Sequence, residues 1–205
     1  MRRGLLSVLV FFGFLSLGNA THAAVGGCLA MAEGPPRFVP ASFSLAALEA
    51  GQVKITYVGH SSFIIESPQG VRIVTDYAGN AGGIVPDVVT MNRAHSSHFT
   101  EFPDPAIKHV LRGWNPDGGA ASHDVVIGDV RIRNVTTDIR RYYGDDASGV
   151  MIRDGNSIFI FEVAGLCIGH LGHLHHKLDD SHFAAIGRID ILMVPIDGSY
   201  TMSLD

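Results

Sequence analysis

Short apolar runs separated by turn residues dominate the chain from Gln52 onward. The runs are rich in β-branched side chains and are bounded by Gly, Pro, Asn and Asp, which is typical of β-strands. Strands are predicted at 54–58, 63–66, 71–76, 85–91, 125–128, 130–135, 149–153, 157–163, 166–169 and 189–196. The last run is almost continuously apolar, which favours a strand that is buried on both faces.

Two segments, 103–112 and 178–186, are predicted to be helical, and Gly187 suits the position directly after the second helix. Asp154-Gly155-Asn156 predicts the tight turn of a hairpin between the strands on either side of it. A strand-rich meander followed by strand–helix units favours an α+β domain, with layered sheets and helices on their outer faces.

The N-terminus predicts a signal peptide over residues 1–24. Arg2 and Arg3 supply positive charge, residues 5–17 are apolar, and small alanines follow. We therefore expect an exported protein, periplasmic or secreted. A retained anchor is the alternative, but the apolar run is short for a membrane span, and no stable span is expected after cleavage.

Composition favours one domain over residues 52–205, preceded by a Pro- and Gly-containing linker at 25–51. The chain of 205 residues is 46% hydrophobic, which is enough for a packed core. The net charge of −5 excludes a nucleic-acid partner, because no basic stripe offsets it. Nothing in the sequence indicates whether the protein is a monomer or an oligomer.

The two cysteines, Cys28 and Cys167, have two interpretations. In an oxidising compartment they could pair. We favour the simpler interpretation, in which Cys28 lies in the tail after the signal peptide and Cys167 is a small apolar residue of a buried strand.

Six of the 11 histidines lie in two short windows, at residues 93–98 (RAHSSH) and 170–176 (HLGHLHH). Each window comes at or just after an apolar strand, so the two sets of imidazoles can converge on one point. Neutral imidazole is the commonest protein ligand for a transition metal. The windows therefore predict a metal site, with zinc as the first expectation and manganese or iron as alternatives.

The remaining histidines carry a weaker signal. His60 ends a predicted strand, and it either supports the site or is structural. His175 and His176 cannot easily face the same point, so we expect one of them to face solvent. The other histidines are expected to be ordinary surface or core residues: His22, His109, His123 and His182.

Several segments, in order, resemble one family. These are ITYVGHSSFIIE at 55–66, the strand at 71–76, the window at 93–98, GHLGH at 169–173 and the strand at 189–198. Together they resemble the metallo-β-lactamase superfamily, in the branch of the L-ascorbate-6-phosphate lactonases. The resemblance implies an αββα sandwich with metal at the sheet edges. It also implies a small-molecule substrate, in which metal-bound hydroxide attacks an ester, lactone, amide or phosphodiester.

This sequence differs from the family pattern at the metal-binding motif. Arg93 stands where the family has its first histidine, and a guanidinium cannot ligate a metal. Ser97 and His173 stand where the family has aspartates. The family's middle histidine has no counterpart, and Asp138 is the nearest candidate. The family's last helix, last strand and final histidine are expected to be lacking.

The predicted site is one merged mononuclear centre. Its metal ligands are His95, His98 and His173. Asp138 and His170 are predicted to be catalytic, each acting as a further ligand or as an orienting partner. Arg93 is predicted to clamp an anion beside the metal, with an ordinary surface arginine as the alternative. An inactive, exported metal- or ligand-binding module of the same fold is the alternative function.

Overall fold

The computed structural model describes part of the chain. The described residues are 27–29, 48–140, 151–196 and 201. The predicted signal peptide at 1–24 lies outside these residues, as does most of the predicted linker at 25–51.

Two five-stranded sheets form the fold, and each keeps its strands in sequence order. The first sheet contains β1 (Lys54–Gly59), β2 (Ser62–Glu66), β3 (Arg72–Val74), β4 (Val88–Met91) and β5 (His109–Arg112). Strands β1 to β3 pair antiparallel, whereas β3, β4 and β5 are parallel.

The second sheet has the order β10-β9-β8-β7-β6. Its strands are β6 (Asp124–Ile127), β7 (Val130–Arg140), β8 (Met151–Val163), β9 (Leu166–His170) and β10 (Ile191–Met193). All neighbours pair antiparallel except β9 and β10, which are parallel.

The main core lies between the two sheets, as the strand period of two requires. Ile65 and Ile73 of the first sheet belong to one buried cluster with Phe159, Phe161 and Ile168 of the second. The alternate residues of the first sheet, such as Ile64 and Val74, pack in a separate cluster on its outer face. The expected sandwich is therefore present.

Helix α1 (Asp180–Ile186) covers the outer face of the second sheet, where Ile186 packs with Ile158 and Ile160. Asp179 caps its first turn, and Gly187 follows it with a φ of 72°, so this helix and its final glycine were predicted correctly. Arg133 of β7 donates hydrogen bonds to the carbonyls of Ala185 and Ile186 at the end of the helix.

The outer face of the first sheet is covered by loops in the described part of the chain. Tyr77, Ala81, Ile107 and Trp114 pack there. The predicted helix at 103–112 is wrong. Asp104 instead accepts hydrogen bonds from the backbone of Ala106 and Ile107, which makes a turn, and β5 begins at His109.

The predicted hairpin turn at residues 154–156 is also wrong. Strand β8 runs continuously through these residues and pairs with β7 on both sides of them. Asp154 takes a φ of 55° within an irregularity of the β7–β8 register between Thr137 and Ile139. The turn-forming residues therefore make a bulge within a long strand, beside the candidate site.

The predicted strand at 189–196 is shorter and less buried than expected. Strand β10 covers only Ile191–Met193, and Leu192 is 51% exposed. Further along, Ile196 is 77% exposed. The expectation that this strand is buried on both faces is wrong.

Cys28 and Cys167 form a disulfide, so the interpretation of two separate cysteines is wrong. Cys28 is buried, and its carbonyl accepts a hydrogen bond from the backbone N–H of Arg188. The disulfide ties residues 27–29 to β9, and the hydrogen bond ties them to the residues that follow α1.

Within the described residues, no helix combines the length and the hydropathy that a bilayer crossing requires.

Candidate metal centre

The two histidine windows meet at one edge of the sandwich. The first follows the end of β4 and the second follows the end of β9. The ring centroids of His95 and His98 lie 4.6 Å apart, and that of His173 lies 5.0 Å and 4.6 Å from them. The structure thus brings together the three residues predicted to be metal ligands.

His60 joins the same cluster from the turn between β1 and β2. Its ring centroid lies 5.0 Å from that of His98 and 5.6 Å from that of His95. One ligand atom from each of these three imidazoles lies within 4.8 Å of the other two. His60 has a φ of 51°, which is uncommon for a residue other than glycine and is often found at functional sites.

A buried carboxylate fixes the orientation of His98. Nδ1 of His98 lies 2.6 Å from Oδ2 of Asp76 and 3.1 Å from Oγ of Ser61. Because the carboxylate can only accept, neutral His98 carries its proton on Nδ1 and leaves the lone pair on Nε2. Nε2 is buried, and no described residue provides it with a hydrogen-bond partner.

Asp76 is fully buried and stays ionised. Burial raises the pKa of this carboxyl group. Three neighbours outweigh that effect and hold the pKa below its usual value: His170, the paired His98 and the hydrogen bond from Asn92. The result is a carboxylate–imidazole pair whose open nitrogen faces away from the carboxylate, as in many metal centres.

Asn92 links this pair to the second sheet. Its Nδ2 donates to Oδ1 of Asp76 at 2.9 Å, and its Oδ1 accepts from the backbone N–H of Ser157 at 2.8 Å. A Cβ at Gly113 or at Gly172 would collide with the Asn92 side chain. The two glycines therefore make room for the asparagine between the two sheets.

The second sheet places the second window in a similar way. Asn156, which follows the bulge in β8, accepts from the backbone N–H of His173 at 2.8 Å and donates to the carbonyl of Leu171 at 3.2 Å. Gly172, with a φ of 60°, packs against Asn92 and Asn156. Two buried asparagines thus hold the two windows against each other.

Ser97 contacts His95, at the position where the resemblance has an aspartate. Its Oγ lies 2.7 Å from Nδ1 of His95. When that nitrogen carries the proton and donates to the hydroxyl, Nε2 of His95 keeps its lone pair. Ser97 is therefore placed to orient an imidazole and not to bind a metal itself.

His173 and His175 lie on the buried side of the cluster, with ring centroids 4.5 Å apart. Desolvation, together with the nearby His98, His175 and His95, lowers the pKa of His173 to about 3, so it is neutral at physiological pH. Imidazole binds metal ions in this neutral form.

His170 is buried, but both of its ring nitrogens contact backbone. Nε2 donates to the carbonyl of Ser61 at 2.9 Å, and Nδ1 accepts from the N–H of Gly172 at 3.2 Å. His170 therefore supports the turn that carries His60 and Ser61, which fits the orienting role among those predicted for it.

Asp138 lies outside the imidazole cluster. Its carboxylate accepts from the backbone N–H of Asp154, and its own N–H donates to Nε2 of His176. It belongs to no metal-binding group found among the described residues. His175 is buried, whereas His176 is half-buried against His182, so the two rings point to different places and His176 is the more exposed of the two.

Arg93 is exposed at the start of the first window, and its backbone N–H donates to the carbonyl of Gly155 in the bulge. Arg93 is thus an exposed cation two residues before His95 in the chain. The histidines predicted to be ordinary, His109, His123 and His182, all lie outside the metal-binding group. His22 lies outside the described residues.

The residues present fit a borderline divalent cation. Tetrahedral zinc with Zn–N bonds of about 2.0–2.1 Å places its nitrogen ligands about 3.3 Å apart. The ligand atoms of His60, His95 and His98 lie within 4.8 Å of one another, so small side-chain rotations bring them to that spacing. The buried Nε2 of His98 is otherwise unsatisfied by the described residues, and a cation would satisfy it.

Three supporting residues were missed at the level of sequence: Asp76, Asn92 and Asn156. Asp76 was detectable, because it ends a predicted strand as an acidic residue after an apolar run. The asparagines were not detectable, because their partners are far away in the chain; Asn92 contacts Ser157, 65 residues later.

Residues 54–205 match the model of the beta-lactamase superfamily domain. This chain belongs to the metallo-β-lactamase superfamily. It is 25% identical over 162 residues to a UPF0173 metal-dependent hydrolase of Methanocorpusculum labreanum, covering 73% of each chain. The identity to a protein of the same description from Methanosphaerula palustris is also 25% over 162 residues, with 73% of each chain covered.

Two crystal structures share the superfamily fold. A candidate Zn-dependent hydrolase from Thermotoga maritima has a TM-score of 0.53 and 30% identity, over 74% of this chain and 66% of that one. This chain therefore spans just under two thirds of that protein. A candidate metal-dependent hydrolase from Parabacteroides distasonis has a TM-score of 0.52 and 17% identity, over 74% and 73% of the two chains. The expected ascorbate-lactonase branch stays a prediction.

Proposed function

We propose that this superfamily member is a metal-dependent hydrolase of small molecules that contain an ester, lactone, amide or phosphodiester. The single observation that carries the proposal is the buried Asp76–His98 pair, because Nε2 of His98 has no hydrogen-bond partner among the described residues and its ring packs against three other imidazoles. The relatives described as metal-dependent hydrolases support the same class of reaction.

The chain's own residues divide the work. His95 and His98 hold the cation, and a third imidazole comes from one of two neighbours: His173, predicted from the sequence, or His60. A divalent cation held there would supply two things, a coordinated water with a pKa of about 7 and polarisation of the substrate oxygen.

Ser97 and Asp76 keep the two imidazoles in the orientation that exposes a lone pair. Arg93, exposed two residues before His95, is placed to bind an anionic group of the substrate. We assign zinc to the site first, because imidazole suits it well. Manganese and iron remain alternatives, since availability as well as affinity decides which metal is bound.

We further propose that the protein works outside the cytoplasm. The sequence of residues 1–24 and the Cys28–Cys167 disulfide both support export, since disulfides persist in oxidising compartments. Mass spectrometry of the protein from its native host, with an N-terminus near residue 25, would support this location. Native protein recovered from the cytoplasmic fraction with an intact Met1 would contradict it.

The function is tested by metal content and by hydrolysis together. Purified protein is expected to carry about one equivalent of zinc, manganese or iron by elemental analysis. It is also expected to hydrolyse a nitrophenyl ester, a lactone or a nitrophenyl phosphodiester in a reaction that a chelator stops. The double variant His95→Ala/His98→Ala is expected to lose both the metal and the activity. Hydrolysis that a chelator leaves untouched would overturn the proposal.

A binding module of the same fold is the second candidate. It is favoured by the all-imidazole composition of the metal-binding group, since no carboxylate belongs to that group to serve as a general base. Stoichiometric metal together with no turnover of any substrate in the panel would select this candidate over the hydrolase.

A further inference from the structure

We propose that His60 is a metal ligand in this chain and that His60, His95 and His98 form one all-imidazole, mononuclear site. The inference deepens the proposed function and rests on the metal dependence proposed there. It assigns a coordination position to a residue that lies outside both histidine windows, in the turn between β1 and β2.

The geometry selects His60 over the other neighbouring imidazoles as the third ligand. Among the described residues, one group of three ligating side chains has all its ligand atoms within 4.8 Å of one another, and it consists of His60, His95 and His98. The ring of His173 packs closely on His95 and His98, but it is not a member of that group.

The backbone of the turn is built to present His60. Its φ of 51° lies in the left-handed region, which is unfavourable for a residue with a Cβ, and Gly59 before it also has a positive φ of 146°. The next residue, Ser61, is held from two sides, because its carbonyl accepts from His170 Nε2 and from Thr75 Oγ1. Strain that the surroundings hold in place is typical of functional positions.

The turn and the first window are connected through His98. Oγ of Ser61 lies 3.1 Å from Nδ1 of His98, on the side of the ring where Asp76 also binds. Nε2 therefore points away from both, and it is the buried nitrogen without a partner among the described residues. The same hydrogen bonds that orient His98 place its neighbour His60 beside it.

His60 also supplies a nitrogen donor that Arg93 cannot supply. Arg93 occupies the position of the first ligand histidine in the family resemblance, and a guanidinium has no lone pair to offer. His60 reaches the same two imidazoles from the turn between β1 and β2 and brings the donor count to three. His60 itself is exposed, so the group can be reached from solvent on that side.

The chemistry of the donors sets the stoichiometry. Three neutral imidazoles are the nitrogen donors of a single zinc-type centre with one open position, and a side-chain carboxylate is the protein ligand that would bridge a second cation to it. Ser97 and His173 stand where the resemblance places aspartates. We therefore expect one cation per chain, bound without any carboxylate in contact with it.

Titration of the metal-free protein with Co²⁺ tests the inference, because the visible spectrum of bound cobalt reports its ligands. The test variant is His60→Gly, since glycine adopts the turn conformation without strain. His60→Asn is a second variant that tolerates the same conformation. The matched control is His109→Gly, which removes an exposed imidazole on β5, outside the cluster.

Wild type is expected to bind one Co²⁺, and both His60 variants are expected to bind it at least about tenfold more weakly, with an altered spectrum. Added imidazole is expected to restore the wild-type spectrum in His60→Gly, because the vacated position is exposed. The control is expected to match wild type. If both His60 variants bind Co²⁺ with the affinity and the spectrum of the wild-type protein, this inference alone is overturned. If the wild-type protein binds no Co²⁺, Zn²⁺, Mn²⁺ or Fe²⁺, the proposed function is overturned as well.

Discussion

Oδ2 of Asp76 lies 2.6 Å from Nδ1 of His98, and both side chains are buried. A carboxylate at this distance fixes the tautomer of the imidazole and raises its basicity as a ligand. The pair combines a residue that follows β3 with one from the first histidine window, so the site depends on a contact between two loops of the first sheet.

The substitution Asp76→Asn is expected to weaken Co²⁺ or Zn²⁺ binding by about 10–100-fold, because the imidazole loses its charged hydrogen-bond acceptor. Asp87→Asn is the matched control. Asp87 accepts hydrogen bonds from Arg72 and Lys108 and lies outside the metal-binding group. Equal metal affinities in the two variants, measured by competition with a chromophoric chelator, would contradict the role assigned to Asp76.

Removing the Asn92 side chain is expected to affect both stability and metal binding. Asn92→Ala removes one hydrogen-bond partner from the backbone N–H of Ser157 and one from Oδ1 of Asp76. Each loss is expected to lower the free energy of unfolding by about 1–3 kcal/mol, because both groups are buried. Urea unfolding measures the first effect, and metal titration measures the second.

The control for this substitution is Asn134→Ala. Asn134 is a part-buried amide on β7 that also bonds to a group of Ser157, its Oγ, but it has no contact with Asp76. This variant is expected to lose stability while keeping its metal affinity. If both variants lost metal affinity in proportion to their stability, Asn92 would be a purely structural residue.

Gly172 and Gly165 allow a paired test of the close approach between the windows. Both have a positive φ, of 60° and 76°, but a Cβ at Gly172 would meet Asn92 and Asn156, whereas a Cβ at Gly165 would meet nothing within 4 Å. Gly165→Ala is expected to cost only the backbone strain, about 1–2 kcal/mol.

Gly172→Ala is expected to be more destabilising than Gly165→Ala and to weaken metal binding as well, because the second window must move. Thermal unfolding and Co²⁺ titration of both variants measure the difference. Similar losses of stability, with metal affinity intact in each, would show that the windows tolerate a wider spacing than the structure gives them.

The disulfide is expected to contribute strongly to stability. Its cysteines are 139 residues apart, and closing so long a loop in the unfolded chain is worth about 5 kcal/mol in the chain-entropy model. Measured values are usually about 2–5 kcal/mol. Urea unfolding with and without reductant gives the contribution directly. The double variant Cys28→Ser/Cys167→Ser is the control, since reductant should not change its stability. An identical unfolding midpoint for oxidised and reduced wild type would refute the expectation.

Local signals were enough to predict most strands, the one described helix and the convergence of the two windows. The β-branched runs, Asp179 before α1 and Gly187 after it act within a few residues of chain. The strand ends that carry His95, His98 and His173 could therefore be placed at the sheet edge before their contacts were known.

The failures have long-range causes. Residues 154–156 have the composition of a hairpin turn, but pairing with β7 on both sides keeps β8 continuous. The apolar run at 189–196 gave no sign that it lies at the edge of its sheet. Likewise, nothing near His60 in the sequence reveals that its turn lies against the first window, because that contact depends on how the loops of the first sheet fold together.

The bond between Cys28 and Cys167 turns the intervening polypeptide into a covalent ring. His95 and His98 lie inside this ring, whereas His173 lies on the tail that leaves it. A protease that nicks the backbone once within the ring opens it without releasing a piece. The two fragments would separate on a denaturing gel only after thiol treatment.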